Sequence, residues 1–398
     1  FSVTYRGAHY FETQMLWFTV LFLSIYNIAL VSILWQAKIY KVIPHYSLIT
    51  EPPVIVSVIV PVRNEGNNIY ALLESIFKNY GTYEVLLVND HSEDNTLKEI
   101  DRFIAEHKSV EIKIFELDKL TNSPKKSAIT LAIQEAKGSI IVTTDGDCIV
   151  PENWISTIEK EFKKDSVQMV LGNVRYAPVN TFFEKMQAYE LAAILTLSLS
   201  RAKANRPFTC NGANLAYRKK TFLELGGFAG VDDIASGDDE LLMKKFYSKY
   251  PAGIVVQERA VVETLPNETF NQFINQRIRW ASKWKYNTFK DKLPGAFLML
   301  LYLSFVFIPI SYTYNGWNNH GLIIVYFLLY FKLHMERRMI WGALYPKKKD
   351  RPEVIPTLLL FLIYPLYVVF FGLSATFLKF SWNCLLYTSP SPRDKRQS

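Results

Sequence analysis

The stretch Ser139-Ile-Ile-Val-Thr-Thr-Asp-Gly-Asp147 decides the fold. Its first half is apolar and β-branched, as in a strand buried on both faces. Its second half places two carboxylates around a glycine. Alternate side chains of an extended chain point the same way, so Asp145 and Asp147 project together beyond a strand end. Two hard oxygen donors at that spacing suit one divalent cation and a diphosphate bound to it. Gly146 lets the backbone turn and a ligand approach closely. Asp-Gly is also ordinary turn chemistry, so the surroundings of the motif carry the decision.

Those surroundings alternate strand and helix. Val54 to Val62 (VIVSVIVPV) reads as a buried strand. Asn67 to Asn79 has helical spacing through Ile69, Leu72, Leu73, Ile76 and Phe77. Glu84 to Val88, Val110 to Phe115 and Ser139 to Thr144 read as strands, and Asp94 to His107 and Lys125 to Ala136 as helices. Pro151 and Glu152 open a further helix. Repeated βα units predict an α/β fold with a mostly parallel sheet and helices on both faces. Ligands of such sheets bind beyond the C-terminal strand ends. Asn64-Glu65, Asn89-Asp90 and Asp145-Gly146-Asp147 each follow a strand. There is no Gly-x-Gly-x-x-Gly and no Walker loop, which argues against dinucleotide and P-loop chemistry.

Four further motifs bear on function. Asp90 can accept hydrogen bonds from a nucleobase edge, while Asp94 is placed to cap the next helix. Of Lys125 and Lys126, which open a helix, one is expected at a diphosphate and the other in solvent; the site reading takes Lys126. Gly237-Asp238-Asp239-Glu240 precedes an amphipathic helix, so its acids serve as helix caps, a general base, or both. In Gln276-Arg277-Ile278-Arg279-Trp280, helical spacing brings Gln276, Arg279 and Trp280 to one face. An Arg there clamps phosphate oxygens and a Trp stacks on a sugar ring; the competing reading is a membrane-surface helix.

Composition sets the frame. The 398 residues carry 45 Lys+Arg and 37 Asp+Glu, a net charge of +8, with 49% hydrophobic residues. Mean hydropathy is +0.06, between a soluble enzyme and a membrane bundle. Residues 15–35 are an uncharged run flanked by Trp17 and Trp35, long enough for one span. Residues 294–378 hold two to three more: Pro294 to Tyr314, the shorter Gly316 to Phe331, and Val354 to Leu378. Lys and Arg cluster at 38–41, 283–292 and 332–351, which places residues 51–290 in the cytosol as one domain after an N-terminal segment, 1–14. Met335 to Tyr345 is expected as an interfacial helix. Residues 385–398 (LLYTSPSPRDKRQS) break abruptly in composition and are set aside as a non-native tail. Cys148, Cys210 and Cys384 have neither metal-ligand nor disulfide-framework spacing, in keeping with a reducing compartment. No aromatic-basic motif points to nucleic acid.

Together and in this order, Pro61-Val62-Arg63-Asn64-Glu65, Asp90, Asp145-Gly146-Asp147, Gly237-Asp238-Asp239 and Gln276-Arg277-Ile278-Arg279-Trp280 resemble the membrane-bound family 2 glycosyltransferases. That group includes synthases of cellulose, chitin, hyaluronan and poly-N-acetylglucosamine, and ceramide glucosyltransferase. The resemblance covers about Pro53 to Trp284 and the flanking spans. It implies a GT-A-like domain and a nucleotide-sugar donor, UDP-linked. Pro61, Asn64 and Glu65 would line the donor side, with Asp90 on the uracil. Asp145 would contact the nucleotide and, with Asp147, bind Mg2+ or Mn2+. Asp239 would be the catalytic base, with Asp238 beside it where the family carries Glu. Gln276, Arg279 and Trp280 would hold the diphosphate and the acceptor sugar. Cys210-Asn211-Gly212-Ala213-Asn214 resembles the acceptor-side loop, Asn211 and Gly212 being its site residues. The implied activity is inverting transfer to a growing β-linked polysaccharide in a bacterial inner membrane, with a partner subunit in some systems. Alternatives are transfer of one sugar to a polyprenyl phosphate or ceramide-like lipid, and a non-catalytic envelope scaffold.

Overall fold

The computed structural model describes residues 2–39, 55–107, 111–118, 123–232, 234, 236–283, 289–305, 308–309, 320–344, 352–377, 380–382 and 385–387. The chain divides into two compact units, Gln36–Pro266 and Phe1–Trp35 with Asn267–Ser398.

The first unit is built on a seven-stranded sheet. Strand β1 (Val56–Val62) pairs in parallel with β2 (Tyr83–Asn89) and β4 (Ile140–Thr143), and β2 with β3 (Ile112–Glu116). Beyond β4 come β6 (Leu215–Arg218), antiparallel to both neighbours, then β5 (Met169–Tyr176) and β7 (Ile254–Thr264), parallel to each other. The order is therefore β3-β2-β1-β4-β6-β5-β7. Helices α2 (Ile69–Phe77), α3 (Thr96–Glu106), α4 (Pro124–Glu135) and α5 (Trp154–Phe162) connect the first strands where the periodicity predicts them. Helices α6 (Phe182–Lys203), α7 (Lys219–Glu224) and α8 (Glu240–Lys249) follow. The apolar runs behave as expected: Val58, Ile59, Val60, Leu86, Leu87, Ile141 and Val142 are all buried. Each stabilises the fold by about 1.5–3 kcal/mol relative to exposure. Beneath them Ala128, Ile129, Ala132, Met169, Tyr217, Phe222 and Phe246 form one core cluster.

A buried acid fastens the strand starts, at the sheet end opposite the polar motifs. Glu84 accepts from Ser57 Oγ at 2.6 Å and Lys137 N at 2.5 Å. Ser57 Oγ accepts in turn from Gly138 N at 2.8 Å. Burial opposes ionisation of Glu84, but these hydrogen bonds and Lys113 outweigh it, so its pKa lies below the usual value.

The second unit holds α1 (Ser2–Ile39), α9 (Phe270–Ser282), α10 (Phe289–Ser304), α11 (His320–Leu344) and α12 (Val354–Phe377). Leu16, Leu23, Leu301, Tyr302, Leu322 and Val325 form its core. Gln14–Gln36 and Val354–Gly372 are long and apolar enough to cross a membrane; Lys292–Ser304 is apolar but shorter. Part of the expected span 294–314 lies outside the described residues. The described parts of the expected short span 316–331 and interfacial helix 335–345 belong to one continuous helix, α11; residues 316–319 and 345 lie outside the described residues. Lys332, assigned by sequence to a connecting loop, is a correction: it is 1% exposed within α11. Its Nζ lies 2.7 Å from Glu336 Oε1 and above the Phe361 ring. A buried ammonium persists because a carboxylate one helical turn away and aromatic faces replace its water. Helix α9 packs with α12 through Phe273, Ile278, Tyr367 and Phe371, so it joins this unit rather than the sheet unit. Leu385–Tyr387 pairs with Phe380–Trp382 as two short antiparallel strands.

Candidate active site

The site begins where β4 ends. Thr143 Oγ1 donates to Gly212 O at 2.7 Å, drawing the turn Gly212–Asn214 over the strand end. Just beyond, Asp145 Oδ1 lies 2.6 Å from Lys125 Nζ, at the start of α4. The same ammonium lies 3.1 Å from Asp238 Oδ2. One lysine thus joins the Asp145-Gly146-Asp147 motif to the acidic pair Asp238-Asp239, which lies more than ninety residues further along the chain. Burial alone would favour neutral Lys125, but Asp145, Asp238 and Asp239 outweigh it and raise its pKa. The lysine is charged at any physiological pH.

Glycines keep this centre open. A Cβ on Gly212 would stand 2.9 Å from Asp238 Oδ2 and 3.3 Å from Lys125 Nζ. A Cβ on Gly146 would stand 2.7 Å from Glu65 Cγ. Glu65 therefore lies against the metal motif, its carboxylate receiving Asn68 Nδ2 at 2.8 Å. Burial pushes its pKa up to about 7, opposed by Asn68 and reinforced by Asp147 and Asp145. Asp147 Oδ2 accepts from Thr264 Oγ1 at 3.0 Å, and the backbone of Ile149 bridges to Glu263. The end of β7 thereby fixes the second acid of the motif. Burial, then the charge of Asp145, raises the Asp147 pKa.

The loops after β1 and β2 meet beside this centre. Pro61 lies within β1, paired with Val88. Asp90 receives Arg63 Nη1 at 3.2 Å on one oxygen and faces His91 Nδ1 at 3.1 Å on the other. Asn64 adopts φ 55°, a left-handed conformation Asn tolerates. Its Oδ1 accepts from Glu93 N at 2.8 Å and its N donates to Ser92 Oγ, so it ties the two loops together. Asp94 accepts from Thr96 N, the first amide of α3, and from Gly66 N, each at 2.9 Å, while the N-cap position itself is Asn95, which makes no side-chain cap bond.

Gly237, at φ 86°, turns the chain into α8. Asp239 is the N-cap of that helix, its Oδ1 accepting from Glu240 N at 2.6 Å. The lysine pair divides: Lys125 meets the carboxylates, whereas Lys126 is buried and donates to Val231 O (2.6 Å), Ile234 O (2.7 Å) and Ser236 O (3.1 Å). Lys126 secures the loop leading into Gly237-Asp238-Asp239. Asn211 Oδ1 accepts from Ala213 N at 3.0 Å and shapes the turn Gly212–Asn214. Buried Asn214 receives Trp154 Nε1 at 2.9 Å and donates to Asn173 O and Ala260 O.

On α9, Gln276 Oε1 accepts from Asn267 Nδ2 at 2.8 Å and from Arg277. Arg277 is buried between the Phe273 and Trp280 rings, 4.3 and 4.4 Å from their centroids, and donates to Tyr367 OH at 3.0 Å. It anchors the helix within its own unit. Gln276, Arg279 and Trp280 are half-buried on the same helix.

Among the described residues, no group of three or more His, Cys, Asp or Glu side chains is arranged to hold a metal. Asp145 and Asp147 nevertheless fit a divalent cation whose remaining ligands come from a diphosphate. Their donors are hard oxygens, and Glu65 lies against Gly146 between them.

A mostly parallel sheet that gathers such carboxylates beyond its strand ends is a GT-A-like fold, and the family match makes it that of a glycosyltransferase. The chain belongs to glycosyl transferase family 21, whose family model matches residues 16–370. It is similar to the poly-β-1,6-N-acetyl-D-glucosamine synthase of Staphylococcus epidermidis, 24% identical over 286 residues, covering 65% of this chain and 67% of the relative. It is also similar to glycosyltransferase GlyG of Streptococcus pneumoniae serotype 4, 32% identical over 120 residues, covering 30% and 38%. Among solved structures, mannosyltransferase PcManGT of Pyrobaculum calidifontis, in complex with GDP-Man and Mn2+, aligns over 91% of this chain and 99% of its own. Its TM-score is 0.54 at 19% identity, a likeness of fold. The resemblance read from the motifs to family 2 glycosyltransferases, the poly-N-acetylglucosamine synthases among them, agrees with these matches.

Proposed function

We propose that the chain is an inverting, UDP-sugar-dependent glycosyltransferase that extends a β-linked polysaccharide at a bacterial inner membrane, its sheet domain in the cytosol and its chain crossing the membrane several times. The observation that carries this reading is the Lys125 bridge, 2.6 Å to Asp145 and 3.1 Å to Asp238. It brings Asp145 and Asp238 to one ammonium, which supports reading the Asp145-Gly146-Asp147 motif and the Asp238-Asp239 pair as two parts of one transfer site. The staphylococcal synthase match supports the polymer as acceptor.

Asp145 and Asp147 would hold Mg2+ or Mn2+, which when bound neutralises charge on a leaving nucleoside diphosphate. The Mn2+ of the mannosyltransferase complex supports a cation of this kind. Asp90, with Arg63 orienting it, contacts the uracil edge. Lys125 adds a fixed positive charge facing the diphosphate. Asp239 removes the proton from the acceptor hydroxyl, and its cap bond to Glu240 N orients it. Attack opposite the leaving group inverts the anomeric centre. Gln276, Arg279 and Trp280 serve the diphosphate and the acceptor sugar.

The test incubates membranes containing the full chain with radiolabelled nucleotide sugars and Mn2+, then sizes the aqueous and lipid-extractable products. Label in a long polymer, lost in Asp239→Asn, is the expected result. An Asp239-dependent product of lipid size would replace polymer by lipid as acceptor, and no Asp239-dependent product would overturn the enzyme reading.

A further inference from the structure

The second unit carries a basic cavity that the transfer reaction does not use. His334, Arg337, Arg338 and Trp341 recur at i, i+3, i+4 and i+7 on α11, so they form one stripe. With Pro352 they line a cavity of about 270 Å³. Among the described residues, no carboxylate lies within ion-pair distance of His334, Arg337 or Arg338. The stripe's cations make one hydrogen bond among the described residues, a long one from Arg337 Nη2 to Pro352 O at 3.4 Å. Glu336, on the same turn, is turned elsewhere, to Lys332 and Tyr26. Two guanidiniums and an imidazole ring therefore border a concave space, Arg337 half-buried and His334 and Arg338 exposed, with no carboxylate paired to them among the described residues.

We infer that this cavity binds a phosphate group. Planar guanidinium forks match phosphate oxygens bidentately, and the Trp341 ring gives the cavity an apolar wall. The volume lies just below the range of about 300–1,000 Å³ usual for whole small-molecule ligands. That suits a phosphate with a few attached atoms and not an entire nucleotide sugar. The stripe follows directly on the uncharged run from Gly321 to Phe331. Under the membrane topology proposed above, it lies where an apolar helix leaves the bilayer on the cytosolic side, at headgroup depth. The phosphate is then that of an anionic lipid headgroup; a soluble phosphate has the same chemistry.

The experiment places the purified full chain in nanodiscs of phosphatidylcholine alone or with phosphatidylglycerol, and adds inorganic phosphate or pyrophosphate to the first. Thermal midpoints are compared for the wild type, Arg337→Gln/Arg338→Gln, and Arg338→Gln alone, which keeps the Pro352 bond. The expected result is a Tm about 2 °C or more higher with phosphatidylglycerol, absent in the double variant and reduced in the single one. A rise with soluble phosphate in neutral discs, lost in the same variants, keeps the site and assigns it a soluble ligand. Absence of any rise in either arm, or a rise that survives both variants, overturns the inference. Glycosyl transfer, measured alongside, separates this result from failure of the catalytic reading, since Arg338 lies outside the catalytic machinery.

Discussion

At the scale of single residues, position and partner separate side chains that the sequence places side by side. Lys125 and Lys126 are adjacent, yet one faces three carboxylates and the other three carbonyls. Lys125→Met leaves Asp145 and Asp238 without their shared counter-charge, and turnover should fall about 10²-fold or more. Lys126→Met leaves Val231, Ile234 and Ser236 carbonyls short of a donor. It should cost about 2–3 kcal/mol of stability, with a smaller loss of turnover, measured by denaturant midpoint and initial rate. Equal effects of the two on turnover would contradict the division. The residues that sequence reasoning did not reach, Thr143, Thr264 and Arg63 among them, act through partners far along the chain. Thr264 meets Asp147 across 117 positions, and no local pattern encodes such a pairing.

At the scale of elements, strands and helices up to α5 were legible because buried parallel strands are unbroken apolar runs and helices repeat every three to four residues. Strand β6 was not. It is four residues long, antiparallel between β4 and β5, and its register comes from those neighbours. Asn214, in the turn before it, shows how that register is held, its amide donating twice and its oxygen accepting once in the interior. Asn214→Ala should cost about 2–3 kcal/mol by urea unfolding of the detergent-solubilised chain. Glu84 makes the comparable bond set at the other end of the sheet. Its pKa is lowered on folding, so its contribution is complete above the ordinary carboxylate range and is lost as pH falls through the depressed value. Glu84→Gln should therefore be less stable near pH 7 by about 1–3 kcal/mol, the gap narrowing toward pH 3. A gap that widened on acidification would contradict the assignment.

At the scale of the whole molecule, the charge pattern and the apolar runs anticipated a chain of two natures, but not the extent of α11. Lys332 ends an uncharged run, which in sequence looks like a span leaving the membrane. In the structure the helix continues, because Glu336 and the Phe361 ring accommodate the ammonium. Exposed apolar residues on α1 and α12, such as Ile28 at 70% and Leu366 at 74%, suit the membrane spanning proposed above. Alkaline carbonate washing should leave the chain in the membrane pellet, and release into the supernatant would contradict membrane spanning.

The central claim is that one centre joins a metal-dependent donor site to a separate base, and paired titrations test it most directly. Binding of UDP in the presence of Mn2+ and initial transfer rate should be measured for the wild type, Asp147→Asn and Asp239→Asn. The account predicts that Asp147→Asn loses Mn2+-dependent UDP binding. Asp239→Asn should keep it within a few-fold while transfer falls about 10²–10⁴-fold. Retention of transfer by Asp239→Asn, or of Mn2+-dependent binding by Asp147→Asn, would contradict it.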